Sequence, residues 1–135
     1  MATKARILCL HGYAQNAQFF RVRTGSSRKA CKSVAEFFFL DAPFPATAHF
    51  LSDKPDGEEE RGEQLGWWKW VEANERAVTS KQYVGVEETM ERVREHIEKE
   101  GPFDGILGFS QGASLAAMLC LMPPRSLPLK FAILV

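Results

Sequence analysis

Gly108-Phe109-Ser110-Gln111-Gly112 decides how this chain is read. The five residues fit the pattern G-x-S-x-G, in which a strand turns sharply into a helix and holds a serine hydroxyl out at the bend. Phe103 to Phe109, before the bend, is β-favouring and reads as a strand. Ser110 to about Met122 reads as the following helix, which Pro123-Pro124 breaks. The bend asks for a strained serine backbone, and Gly108 and Gly112 keep side chains out of its crowded corner. A serine at the start of a helix also faces the positive end of the helix dipole. The main-chain N–H of Gln111 then points to where an oxyanion would form.

Working outward, Ile7-Leu8-Cys9-Leu10 is a continuous apolar run ending at His11-Gly12, which predicts a strand buried on both faces. Asn16 predicts a helix N-cap, with the helix reaching about Lys32 and Phe19, Phe20 and Val22 turned inward; Gly25, Ser26 and Ser27 weaken its middle. Val34 to Leu40 is aromatic-rich and reads as a second strand, stopped by Asp41-Ala42-Pro43-Phe44-Pro45. From about 41 to 80 the chain predicts an irregular segment, with Asp53 to Glu63 as a charged surface loop. Val86, Met90, Val93 and Ile97 recur at helical spacing and predict a helix over 85–100, ended by Gly101-Pro102. Phe131 to Val135 reads as a fourth buried strand.

The order is β-α-β-loop-α-β-α-β, which predicts an α/β fold: a mostly parallel sheet with helices on both faces, in one domain without repeats. Such a sheet gathers its reactive groups at the carboxyl ends of its strands. His11-Gly12-Tyr13 follows the first strand and Ser110 the third, so both belong on one edge. The Tyr13 N–H is then the second oxyanion donor, with Gly12 allowing close approach. His11 reads as a residue that orders this loop, not as a base, because it precedes the serine. His49 and His96 read as bystanders, and Ser114 as helix packing. Trp67, Trp68 and Trp70 read as a hydrophobic plug, with Trp67 and Trp68 also candidates for the wall of an acyl pocket.

The 17 basic and 17 acidic side chains cancel, which argues against a nucleic-acid or anionic-lipid partner. The apolar runs fall short of a membrane span, and the amino terminus lacks the pattern of a signal peptide. The cysteines Cys9, Cys31 and Cys120 read as small buried hydrophobes in a reduced compartment. The expected location is cytoplasmic, with the nucleus second.

Leu10-His11-Gly12-Tyr13, Gln15-Asn16, Phe20-Arg21-Val22-Arg23-Thr24-Gly25 and Arg28-Lys29-Ala30 resemble the amino-terminal signature of the FSH family of serine hydrolases. Gly66-Trp67-Trp68 and the run from Gly101 to Ala113 resemble it too, so the likeness spans nearly the whole chain; Ser27 departs from the apolar residue usual there. The resemblance implies an α/β-hydrolase fold with no metal or organic cofactor. It implies cleavage of carboxylic esters or thioesters, with a small-molecule or lipid-like ester of longer acyl chain as substrate. It implies Ser110 as nucleophile and the backbone of Tyr13 and Gln111 as oxyanion hole. The family's Asp and His follow the strand on which this chain stops, and Ala113 to Val135 contain no Asp, Glu or His. Residues 1–135 are therefore expected to be the amino-terminal part of the domain, cut after its fourth strand. A fragment, a splice form or an incomplete gene model would each give such a chain. Alone it is expected to be loosely folded and close to inactive. The alternative is a non-catalytic product that binds acyl ligands or a protein partner through the exposed sheet edge.

Overall fold

The computed structural model describes residues 3–46, 62–72, 81–121 and 127–135. Four parallel strands form the main sheet: β1 (Ala5–Leu10), β2 (Ala35–Leu40), β7 (Gly105–Gly108) and β8 (Phe131–Leu134), in the order β2-β1-β7-β8. This is the α/β arrangement that the strand–helix alternation predicts. Two small antiparallel pairs lie outside it, β3 (Phe44–Pro45) with β4 (Leu65–Gly66), and β5 (Lys69–Glu72) with β6 (Lys81–Val84). The segment expected to be irregular thus contains the strands β3, β4 and β5. Of the charged loop, 53–61 lie outside the described residues, as does His49.

Side chains alternate across β1, so its continuous apolar run feeds two cores. Ile7 and Cys9 face a layer of two short helices, α1 (Ala17–Arg23) and α2 (Gly25–Ala30), where they pack with Phe20 and Ala35. Leu8 and Leu10 face α3 (Val86–Glu100) and α4 (Gln111–Leu121), in a core with Ile106, Val93, Ile97 and Leu115. The single helix expected to reach Lys32 is broken at Thr24. The Thr24 hydroxyl donates to the carbonyls of Phe20 and Arg21 at 2.9 and 3.1 Å, which closes α1 before the weak helix formers begin. Asn16 does cap α1, its Oδ1 accepting the Phe19 N–H at 2.8 Å. Val22, expected inward, is 66% exposed, because it stands two residues, roughly 200° of helical turn, from the buried Phe20.

Arg6 sets the level of the strands. Its N–H donates to Asp104 Oδ2 at 2.8 Å, its guanidinium donates to the carbonyls of Pro102 and Glu100, and its charge lies over the rings of Phe38 and Phe103. With their starts pinned, β1 and β7 end side by side, Leu10 beside Gly108. β8 is less buried than its apolar run predicts, but its open outer edge is the one expected: among the described residues only β7 pairs with it, and Ile133 and Leu134 are 43% and 53% exposed. An apolar strand with one neighbour keeps its outer edge open to water.

Candidate active site

At the tip of β7 the chain reverses direction through Ser110, whose φ of +53° is a left-handed value that non-glycine residues seldom adopt. The two glycines around it are steric requirements. A Cβ at 108 would strike the main chain of Gly112 and Ala113, and a Cβ at 112 would strike the carbonyls of Leu10 and His11. Helix α4 starts at Gln111, and the N–H groups of a first helical turn have no partner within the helix. Among the described residues no backbone acceptor takes the Gln111 N–H. Ser110 is therefore neither mid-helix nor distant from Gly12. The Phe109 N–H donates to the Leu10 carbonyl at 3.1 Å, and a Cβ at Gly12 would lie 2.9 Å from the Phe109 ring.

The loop after β1 is held open by its own bonds. Gln15 Oε1 accepts the Gly12 N–H at 2.9 Å, the Ala14 N–H donates to Leu65 O at 2.8 Å, and the Leu65 N–H donates to Gln15 O at 2.9 Å. Tyr13 is left on the cavity side of that loop.

His11 is fully buried and stacked on Trp67, ring centroids 5.0 Å apart. Its Nε2 accepts the Ala42 N–H at 3.0 Å, so the ring proton sits on Nδ1, which donates to the Gly12 carbonyl at 2.7 Å. Burial holds its pKa below the ordinary histidine value, against the pull of Gly12 O and Asp41. Both nitrogens are spent on the main chain, which fits a loop-ordering residue. His96 stacks on Phe103, at the end of β7 opposite Ser110, and burial lowers its pKa as well.

Trp67 and Trp68, paired in the sequence reading, separate in space. Trp68 lines the cavity that Ser110 opens into, whereas Trp67 is fully buried beneath it. The Trp67 indole N–H donates to the His11 carbonyl at 2.8 Å, its main-chain N–H donates to Gln111 Oε1 at 2.7 Å, and its carbonyl accepts the Thr89 hydroxyl. Trp70 lies on β5.

The cavity is about 530 Å³, and Tyr13, Trp68, Tyr83, Val86, Ser114 and Met118 surround Ser110 and Gln111. Ser114, expected to pack within its helix, faces this space because it sits one turn after Ser110 on the same side of α4. Sequence reasoning missed Tyr83, Val86, Met118 and Thr89 as parts of the site. Thr89 had a visible signal, a hydroxyl within the apolar stripe of α3. Of the cysteines only Cys9 is fully buried, which pushes its thiol up to about 12; Cys31 is half-buried and Cys120 exposed, against expectation. Among the described residues no three His, Cys, Asp or Glu side chains are grouped to hold a metal, and no helix is long and apolar enough to cross a membrane.

A family model described as serine hydrolase (FSH1) matches residues 1–135. The chain is 39% identical to Esterase OVCA2 of Danio rerio over 99% of its own length and 65% of that protein's. It is 41% identical to Esterase C25G4.2 of Caenorhabditis elegans, over 86% of this chain and 50% of the other. It thus spans between half and two thirds of these relatives. A single-substitution form of Arabidopsis thaliana SOBER1 has the same fold, with a TM-score of 0.62, 24% identity and coverage of 98% of this chain and 61% of that one.

Proposed function

Because the chain belongs to the serine hydrolase (FSH1) family, we propose that Ser110 is the nucleophile of a hydrolase acting on carboxylic esters with longer acyl chains. The observation that supports this best is the left-handed backbone of Ser110 at a strand–helix junction beside the cavity. Its Oγ attacks the ester carbonyl carbon, a base takes the hydroxyl proton and hands it to the alcohol oxygen as that C–O bond breaks, and an acyl-enzyme is left. Water then attacks the acyl carbon, one of its protons passes through the base to Ser110 Oγ as the acyl–Oγ bond breaks, and the acid is released. The N–H groups of Tyr13 and Gln111 receive the oxyanion; each such donor is worth about 3–4 kcal/mol in the transition state. The apolar walls at Trp68, Val86 and Met118 support the longer acyl chain.

Among the described residues no His, Asp or Glu lines the cavity at Ser110. Residues 111–135 hold no Asp, Glu or His, and His11 is engaged at both nitrogens. A serine centre without its triad partners retains only about 10³–10⁴-fold catalysis from oxyanion hole and binding. The 135-residue polypeptide is therefore expected to turn over nitrophenyl esters near that floor. Turnover of about 1–10³ s⁻¹, the range of complete enzymes, would show that a base within this chain serves Ser110. The exposed apolar edge of β8 favours, as a second reading, a non-catalytic product that binds a partner there. Ester turnover with no labelling of Ser110 would overturn the first reading.

A further inference from the structure

We propose that the α1–α2 layer carries a second ligand site, for a long-chain carboxylate, on the sheet face opposite the α3–α4 core. The zero overall charge conceals a strong asymmetry. Between Lys4 and Ala35 there are seven basic residues (Lys4, Arg6, Arg21, Arg23, Arg28, Lys29, Lys32) and no acidic one. Four of the seven lie on α1 and α2. Arg21, Arg23 and Lys29 are exposed, and the ion pairs among the described residues involve none of them. Asp41 is engaged at the other end of α1, where it accepts the Ala17 N–H at 2.8 Å. Arg28 folds back onto the Arg21 carbonyl at 2.8 Å, while the exposed Arg23 has its guanidinium 5.7 Å from the centre of the Phe19 ring.

A cavity of about 490 Å³ lies between this layer and the sheet. Phe20, Phe37, Leu107, Phe109, Ile133 and Val135 give it an apolar lining. Arg23, Thr24 and Ser27 form a polar rim. It shares no lining residue with the cavity at Ser110. Its volume is that of a small-molecule pocket, which favours a single chain entering a recess over a flat protein or membrane contact. The tail would leave water for an apolar slot. The head would meet a guanidinium, whose fork suits a carboxylate. A neutral ester would leave that cation unmatched, so the site discriminates acid from ester. If the Ser110 reading holds, the acid released is such a ligand, but the site itself rests on cavity and charge alone.

The test is titration of the 135-residue protein with cis-parinaric acid, followed by its fluorescence, with palmitate and hexadecanol as competitors. One carboxylate is expected to bind, with hexadecanol at least about tenfold weaker than palmitate, a difference of about 1.4 kcal/mol. Arg23→Gln should weaken the carboxylate about tenfold without changing the alcohol, and Arg23→Lys should recover part of the loss. Ser27→Trp, which fills the recess, should abolish binding, and Ser114→Trp, which fills the other cavity, should leave it intact. Circular dichroism checks that each variant folds; should Ser27→Trp fail, the exposed Arg23→Gln decides alone. Equal binding of acid and alcohol, loss of binding in Ser114→Trp but not in the α1–α2 variants, or no binding at all overturns the proposal. So does binding of phosphatidylserine vesicles, lost in Arg23→Gln, without binding of free parinarate, which would assign the face to a membrane.

Discussion

Gln111 Oε1 accepts the main-chain N–H of Trp67 at 2.7 Å, so the residue after the bend at Ser110 is fastened to a tryptophan 44 positions earlier. The same tryptophan donates its indole N–H to the His11 carbonyl and accepts the Thr89 hydroxyl. Three segments that meet at the cavity, the β1 tip, the bend and helix α3, are thus tied through one buried residue. The cavity wall at Trp68 follows directly in the chain, and its carbonyl faces Gln111 Nε2 at 3.4 Å.

Gln111→Met keeps the shape of this side chain and removes the acceptor, leaving the Trp67 N–H buried and unpaired. Urea unfolding should show a loss of about 1–3 kcal/mol. Thr89→Val should cost a similar amount, and the double variant should lose less than the sum, because both act on Trp67. Parent-like stability of Gln111→Met would mean that the buried bond holds nothing in place.

The bend stores strain. Ser110→Gly should raise stability by about 1 kcal/mol, since glycine adopts the left-handed backbone without penalty. Gly108→Ala, which forces a Cβ into the main chain of Gly112, should lower it by about 1–3 kcal/mol or more. Opposite signs from two neighbouring positions are the signature; destabilisation by both would place the strain elsewhere.

His11 should stay neutral in the folded protein at pH values where a free histidine gains a proton, and His96 should shift the same way. The unfolded chain then binds more protons below about pH 6.5, so stability from these residues is fully present above that value and falls as the pH drops through the window beneath it. An NMR titration of the imidazole C–H signals should put the His11 midpoint below 6.5. A midpoint above it would contradict the assigned tautomer and its two main-chain bonds.

The parts legible in the sequence are those set by local pattern. The apolar run of β1, the stripe of α3 and the pattern around Ser110 each carry their own period or spacing, and each forms where expected. The separation of Trp67 from Trp68 was not legible, because it depends on partners 44 and 56 residues away. The break at Thr24 turns on one hydroxyl, and a helix pattern cannot show it. The exposure of Cys120 depends on which neighbours cover a helix flank, and apolar composition is silent on that. The basic layer on α1 and α2 was hidden by a whole-chain charge sum.

The most direct test of Ser110 as a poised nucleophile is its labelling by a fluorophosphonate, with the adduct located by mass spectrometry, with and without added imidazole. Labelling should be slow in buffer, confined to Ser110, absent in Ser110→Ala and accelerated about tenfold or more by imidazole acting as an external base. An adduct on another residue, or labelling of Ser110 that is fast in buffer and unaffected by imidazole, would contradict it.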